Sequence, residues 1–397
     1  MRTPVVLICG QGNTEGVVDV VARQPGTVVV EHSFNGQVVL RRVSVAGDTT
    51  EWPLELRKGC VTCTVRNDLL ILLRRLHRRS DIDRIVVRLM PWLEPEPVCW
   101  AINNVRVRVG PGYLDGPAAC DVRIDAVVTC VEVAKWLSQS LGDDDLADGR
   151  TVAQVVVAQA EFADALVLTE PDTRTLSVLR RLAPLARLTV GADRVETALA
   201  NLEPDSRRGR SDNPHDPLLA GEPSLSGDGD VGLILFSARR PFHPERLHAA
   251  LDLLLDGVVR TRGRLWLANR FDDAMWIESA GCGLRTEYAG KWLAAMTSNQ
   301  LAYADPQRCA LASADWHDTV GDRHVALTVL VCGAEPSAIA DGLQAALLTD
   351  EEMTRPHEWR AYPDPFGDWH QDPCEDMAEH AGDVAGNPAG NHEGDER

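Results

Sequence analysis

Short runs of apolar, mostly β-branched residues recur along the first half of the chain, at residues 5–9, 27–30, 84–87, 126–130 and 166–168. Such runs predict buried strands. Between them, residues 68–77, 131–140 and 175–182 place apolar side chains at helical spacing. Strand, helix and strand in this order build βαβ units, and so predict an α/β fold with a doubly wound parallel sheet. The pattern breaks at residues 205–230, where Pro, Gly, Ser and Asp dominate and a linker is expected. An α+β segment follows, with an apolar run at 231–236, helical patterns at 244–255 and 336–348, and strands at 263–268 and 323–332. Residues 370–397 carry eight acidic and three histidine side chains, one cysteine and a single basic residue. They are too polar to bury a core and read as a disordered acidic tail. The expected organisation is therefore a first domain over 1–204, a linker over 205–230, a second domain over 231–369 and a tail over 370–397.

Composition narrows the function classes. No apolar stretch reaches the ~18–20 residues that cross a bilayer, and the N-terminal run is too short for a signal peptide, so a cytoplasmic protein without a membrane partner is expected. Forty basic against 59 acidic side chains give a net charge of −19 in 397 residues. That argues against a whole-surface nucleic-acid binder, and DNA is not an expected partner. A local basic face remains available. Arg74, Arg75, Arg78 and Arg79, with His77 between them, recur at helical spacing and form a candidate partner-binding face for RNA or an acidic protein. The plainer alternative is a solvated helix face.

The first strand ends in Gly10-Gln11-Gly12-Asn13-Thr14-Glu15-Gly16-Val17, the place of a phosphate-binding loop. The working pattern needs a second glycine, a lysine for the β/γ-phosphates and a hydroxyl for Mg²⁺. Counted from Gly10, those places hold Glu15, Gly16 and Val17. Only three lysines exist in the chain, Lys58, Lys135 and Lys291, and none is in the loop. A carboxylate at Glu15 also repels phosphate. The segment reads as a strand-to-helix turn on an inherited scaffold.

Cys60 and Cys63, in Gly59-Cys60-Val61-Thr62-Cys63-Thr64-Val65-Arg66, open a helix. This spacing admits two zinc ligands, a redox pair or inert thiols, and a zinc site needs further ligands from elsewhere. The scattered cysteines otherwise read as core thiols or metal ligands rather than a disulfide framework. In the tail, His370, Cys374, His380 and His392 offer weak zinc ligands or only solubility. His243 reads as a helix-entry residue and the tryptophans as core or interface anchors.

The cysteine segment, with Pro53-Leu54-Glu55-Leu56-Arg57-Lys58 before it, resembles the G-C-x-C-C-T-V-R signature of the CobW-type metallochaperone GTPases. The second domain resembles the CobW C-terminal domain through Arg240-Pro241-Phe242-His243-Pro244-Glu245-Arg246-Leu247, Gly257-Val258-Val259-Arg260-Thr261-Arg262-Gly263, Gly321-Asp322-Arg323 and Leu347-Leu348-Thr349-Asp350-Glu351-Glu352. The resemblance implies a P-loop-type sheet followed by that α+β domain, with zinc as a regulatory ligand of Cys60 and Cys63. It also exposes departures. The middle cysteine is Thr62, the γ-phosphate-sensing element reads Arg88-Leu89-Met90-Pro91, and the guanine-reading element reads Thr169-Glu170-Pro171-Asp172. Only Gly10, Gly16 and Asp172 remain as degenerate nucleotide positions. These losses imply a pseudo-GTPase without GTP chemistry, similar to a degenerate mycobacterial branch of the family. That branch implies a non-catalytic, zinc-responsive factor recruiting a ribosome hibernation factor to the small (30S) ribosomal subunit under zinc starvation. The alternative the family implies is a zinc metallochaperone with GTPase activity.

Overall fold

Burial on both faces explains where the apolar runs lie. In a computed structural model, which describes residues 1–57, 60–211 and 223–367, eight strands build the first sheet. They are β1 (Thr3–Gly10), β2 (Thr27–Phe34), β3 (Val39–Val45), β4 (Asp48–Leu54), β5 (Arg84–Arg88), β6 (Val122–Val131), β7 (Ala165–Leu168) and β8 (Arg187–Val190). Their spatial order is β4-β3-β2-β5-β1-β6-β7-β8. The six from β2 to β8 run parallel; the sequence pattern predicts five of them and misses β8, which is only partly buried. Helices α1 (Thr14–Val21), α2 (Val61–Leu76), α3 (Pro95–Asn104), α4 (Val133–Ser140), α5 (Val152–Glu161), α6 (Thr173–Leu182) and α7 (Val195–Ala200) join and cover them.

Side chains alternate across each strand. Val5, Leu7 and Cys9 of β1 meet Leu69, Leu73 and Leu76 of α2 and Ile102 of α3 in one core. Val6 and Ile8 turn the other way, against Val17 and Val21 of α1 and Val195 of α7. Both layers are dry, so these strands tolerate no polar alternation.

Beyond β2 the sheet is extended by an antiparallel hairpin, β3 and β4. Its two-residue turn, Ala46-Gly47, has φ of 51° and 93°. Positive φ at both central residues matches the twist of flanking strands. Burial is slight on β4, which stands at one edge of the sheet among the described residues and contains Pro53.

The second sheet is antiparallel, in the order β12-β11-β10-β13-β9 once β9 (Val231–Ala238), β10 (Val258–Leu265), β11 (Asp273–Ala280), β12 (Gly283–Lys291) and β13 (Val325–Cys332) are placed. Helices α8 (Pro244–Ala250), α9 (Ser298–Leu301), α10 (Pro306–Ala314), α11 (Pro336–Ala346) and α12 (Asp350–Met353) accompany it. Val231, Val259, Ala280 and Leu330 share one core with Val156 and Ala160 of α5 and Leu179 of α6. Trp136, Trp266, Trp276, Trp292 and Trp359 are buried, as core anchors should be, whereas Trp52, Trp92, Trp100 and Trp316 are exposed and anchor no core. His243 does stand at a helix entry, directly before Pro244, with its ring 4.5 Å from that of Tyr362.

The start of the expected linker is held in place. Ser206 is buried, the Arg208 amide donates to Asp164 at 2.9 Å, and Asn103 donates to the Gly209 carbonyl at 3.1 Å. The tail residues His370, Cys374, His380 and His392 lie outside the described residues, as do Lys58 and Gly59.

Candidate nucleotide edge and thiol pair

Parallel strands place every carboxyl end on one edge of the sheet, the edge where α/β folds bind ligands. Gly10 ends β1 there. Its φ is +107°, and a Cβ on it would drive into the carbonyl of Cys130 on β6. Only three residues, Gln11 to Asn13, then separate β1 from α1. Gly12 donates its amide to the Cys130 carbonyl at 2.9 Å, folding the loop back on β6. Asn13 caps α1, with its side chain accepting from the Gly16 amide at 2.9 Å. The amide at Gly16 is thus already spent on the cap. Glu15 lies in the first turn of α1, where a carboxylate favours the helix dipole.

Around the loop sit polar side chains that the apolar and helical patterns did not single out. Arg88, at the end of β5, donates to Thr14 at 3.1 Å and pairs with Glu31 at 2.9 Å. Gln11 donates to the Pro91 carbonyl. Gln159 of α5, 1% exposed, donates to the Pro91 and Leu93 carbonyls at 2.8 and 2.9 Å. A glutamine in the otherwise apolar Val155-Val156-Val157-Ala158-Gln159-Ala160 was the available signal, because a buried amide demands partners.

Asp172 stands at the same edge, after β7, about 10 Å from β1 at two strand spacings. It caps α6, accepting from the Thr175 amide at 2.8 Å, and that bond holds its carboxyl below the usual range.

Helix α2 brings the thiols to this edge. Its C-terminal His77 bonds to the Thr3 hydroxyl at 2.9 Å, at the amino end of β1. Sixteen residues rising ~1.5 Å each carry the other end to the carboxyl edge. Cys60 is the N-cap, and its Sγ accepts from the Cys63 amide at 3.1 Å. Both thiols are partly exposed and in no disulfide, unlike the buried Cys9, whose thiol burial pushes up to about 12. Among the described residues no third His, Cys, Asp or Glu joins them. The pair therefore offers a metal two soft ligands and leaves two tetrahedral positions open. Below it, Asp68 ties α2 to the sheet through His32 at 2.9 Å and Arg41 at 2.8 Å.

The structure removes one member, Arg74, from the expected arginine face. Arg74 is buried, paired with Asp121 at 2.7 Å and bonded to the Gly116 carbonyl at 3.2 Å. Arg78 lies over the Tyr113 ring at 3.6 Å, and Arg79 pairs with Asp81 at 2.6 Å. Arg75 is exposed. Arg74, within α2, and Arg78, past its end, both reach the 105–121 segment, Arg78 through the Gly112 carbonyl and the Tyr113 ring. Arg74 is therefore no part of an exposed face, whereas Arg75, Arg78 and Arg79 are exposed.

Comparison with known proteins adds the family. Residues 25–189 match the CobW/HypB/UreG nucleotide-binding domain, and residues 231–347 match the cobalamin synthesis protein cobW C-terminal domain. A protein of Mycobacterium tuberculosis named a zinc chaperone is 62% identical over 385 residues, covering 96% of this chain and 97% of its own. A Dictyostelium discoideum protein named zinc-regulated GTPase metalloprotein activator 1 is 25% identical over 376 residues, covering 85% of this chain and 74% of its own. Among solved structures, the Zn(II)-bound YjiA GTPase of E. coli is similar with a TM-score of 0.38 and 13% identity, covering 87% of this chain and 99% of that one.

These relatives overturn two expectations. A non-catalytic recruiter of a ribosome hibernation factor is not what the near-full-length relative is named for, which is zinc chaperoning. The inference that GTP chemistry is lost is corrected as well, since the more distant relative that covers both domains is named a GTPase. Through its two matched domains and its near-full-length relative, the chain belongs to the CobW family.

Proposed function

We propose that this protein is a zinc metallochaperone in which GTP chemistry at the carboxyl edge of the first sheet governs zinc held on Cys60 and Cys63. The observation that carries the reading is the 62% identity, over 96% of the chain, to the relative named a zinc chaperone. Zinc is cargo here. Two thiols at a helix entry, with no third ligand among the described residues, suit a site that must release its metal: a receiving protein completes the coordination and takes the ion. The loop has no lysine, so Arg88, bonded to Thr14 at the start of α1, is the cation placed to meet phosphate charge. On binding, Arg88 would exchange its present partner, the Glu31 carboxylate, for the nucleotide phosphates.

The reading is tested by zinc stoichiometry and GTP turnover on the purified chain. Wild type should bind one equivalent of zinc that Cys60→Ser/Cys63→Ser loses, and should hydrolyse GTP faster than Arg88→Gln. Equal zinc retention by the double variant would remove the thiols from the reading. Turnover that Arg88→Gln leaves unchanged would remove Arg88.

A further inference from the structure

A phosphate-binding loop normally receives its nucleoside triphosphate together with magnesium. A hydroxyl at the start of the following helix and a carboxylate hold the metal there. The first sheet builds that corner with different chemistry. Thr14 is the first residue of α1 and is 9% exposed. Val17, where the count from Gly10 puts the hydroxyl, is in the core instead. The strand beside β1, β5, ends in Arg88. Register fixes this arginine opposite Ile8 of β1 on one side and Glu31 of β2 on the other.

These residues do not fit a magnesium ion. The Arg88 Nε donates to the Thr14 hydroxyl at 3.1 Å, and its Nη1 pairs with the Glu31 carboxylate at 2.9 Å. Arg42 approaches the other Glu31 oxygen at 3.7 Å. The oxygens a divalent cation needs already face a guanidinium, and a second cation in the same space is repelled. Among the other described carboxylates of this edge, Glu132 accepts from the Thr169 hydroxyl at 3.2 Å and Asp172 caps α6. Glu15 is exposed, one position and ~100° around α1 from Thr14.

We infer, in a step that rests on the nucleotide reading above, that Arg88 stands in for the metal. The site then takes a nucleoside triphosphate as the free polyphosphate anion rather than as its magnesium complex. A guanidinium offers one permanent positive charge and a planar fork of donors, which suits two phosphate oxygens at once. With both partners engaged, 34% of the Arg88 side chain stays exposed, so phosphate can reach it. When phosphate replaces Glu31, the bond to Thr14 keeps the guanidinium at the entry of α1.

The test is a fluorescence titration of the full chain with a non-hydrolysable GTP analogue, once in excess EDTA and once in excess magnesium chloride. Binding in EDTA should be at least as tight as in magnesium, and Arg88→Gln should weaken it about tenfold. Arg88→Asp returns a carboxylate to the end of β5 and should bind about tenfold more tightly with magnesium than without. Circular dichroism establishes that the variants are folded, and the wild-type comparison decides the matter if they are not. Wild-type binding that weakens about tenfold on removal of magnesium would overturn the inference and leave the nucleotide reading standing. Binding in EDTA that a folded Arg88→Gln leaves unchanged would overturn it too. No saturable binding in either buffer would overturn both the inference and the nucleotide reading beneath it.

Discussion

Glu161, the last residue of α5, pairs with Arg260 of β10 at 2.8 Å, joining the first sheet's helix layer to the second sheet. Arg262 reaches the same carboxylate at 3.0 Å, and Glu278 pairs with Arg260 at 3.0 Å from β11. Burial pushes the Glu161 carboxyl up, but Arg260, Arg262 and Arg207 outweigh it and hold the group at about 2. Removing one partner of such a buried network strands the others. Glu161→Gln should therefore cost ~3 kcal/mol of stability, read from urea unfolding.

The same group sets part of the acid limb. Its folded-state value lies below the ordinary 4.5, so its contribution is complete above about pH 4.5. It drains away as pH falls toward 2, because the unfolded chain takes up the proton first. Stability plotted against pH should fall less steeply for Glu161→Gln than for wild type between these limits. Parallel curves would mean the carboxylate is already solvated.

Gln159 closes two backbone carbonyls, of Pro91 and Leu93, that have turned into the protein. Gln159→Ala should cost ~2 kcal/mol, about one buried unsatisfied acceptor's worth, and should raise hydrogen exchange in the 89–95 segment. A loss below 0.5 kcal/mol, on the scale of an ordinary surface change, would show that water replaces the amide.

Gly10→Ala combines a positive φ with a collision against the Cys130 carbonyl. Backbone on both sides has nowhere to move, so the variant should lose ~3 kcal/mol or fail to accumulate as folded protein. An unchanged melting temperature would show that β1 and β6 separate easily at this end.

Arg74 and Arg75 are adjacent in sequence and opposite in consequence. Arg74→Ala strands Asp121 and should destabilise by ~3 kcal/mol. Arg75→Ala, at an exposed position, should stay within ~0.5 kcal/mol. Thermal unfolding of the two variants separates them.

The parallel strands were legible because burial on both faces leaves uninterrupted runs such as Val5-Val6-Leu7-Ile8-Cys9. The β3–β4 hairpin was not, since Arg41, Arg42 and Glu51 break any apolar signal on a sheet edge that water reaches. Helical spacing grouped Arg74 with Arg75, but a period of 3.6 sends neighbours ~100° apart, and only the packing partner decides which one is buried. The thiol pair could be read from its spacing. Gln159 could not be assigned a role, because its carbonyl partners lie 66 and 68 positions earlier in the chain.

A last consequence belongs to Pro53 on the edge strand β4. It pairs with Leu40 of β3 on its inner side and has no N–H to offer on the outer one. A strand from another molecule arriving there would meet a gap in the ladder, next to a Trp52 ring already covered by the Arg41 guanidinium at 4.7 Å. Pro53 thus disfavours the addition of a further strand along this exposed edge of the first sheet.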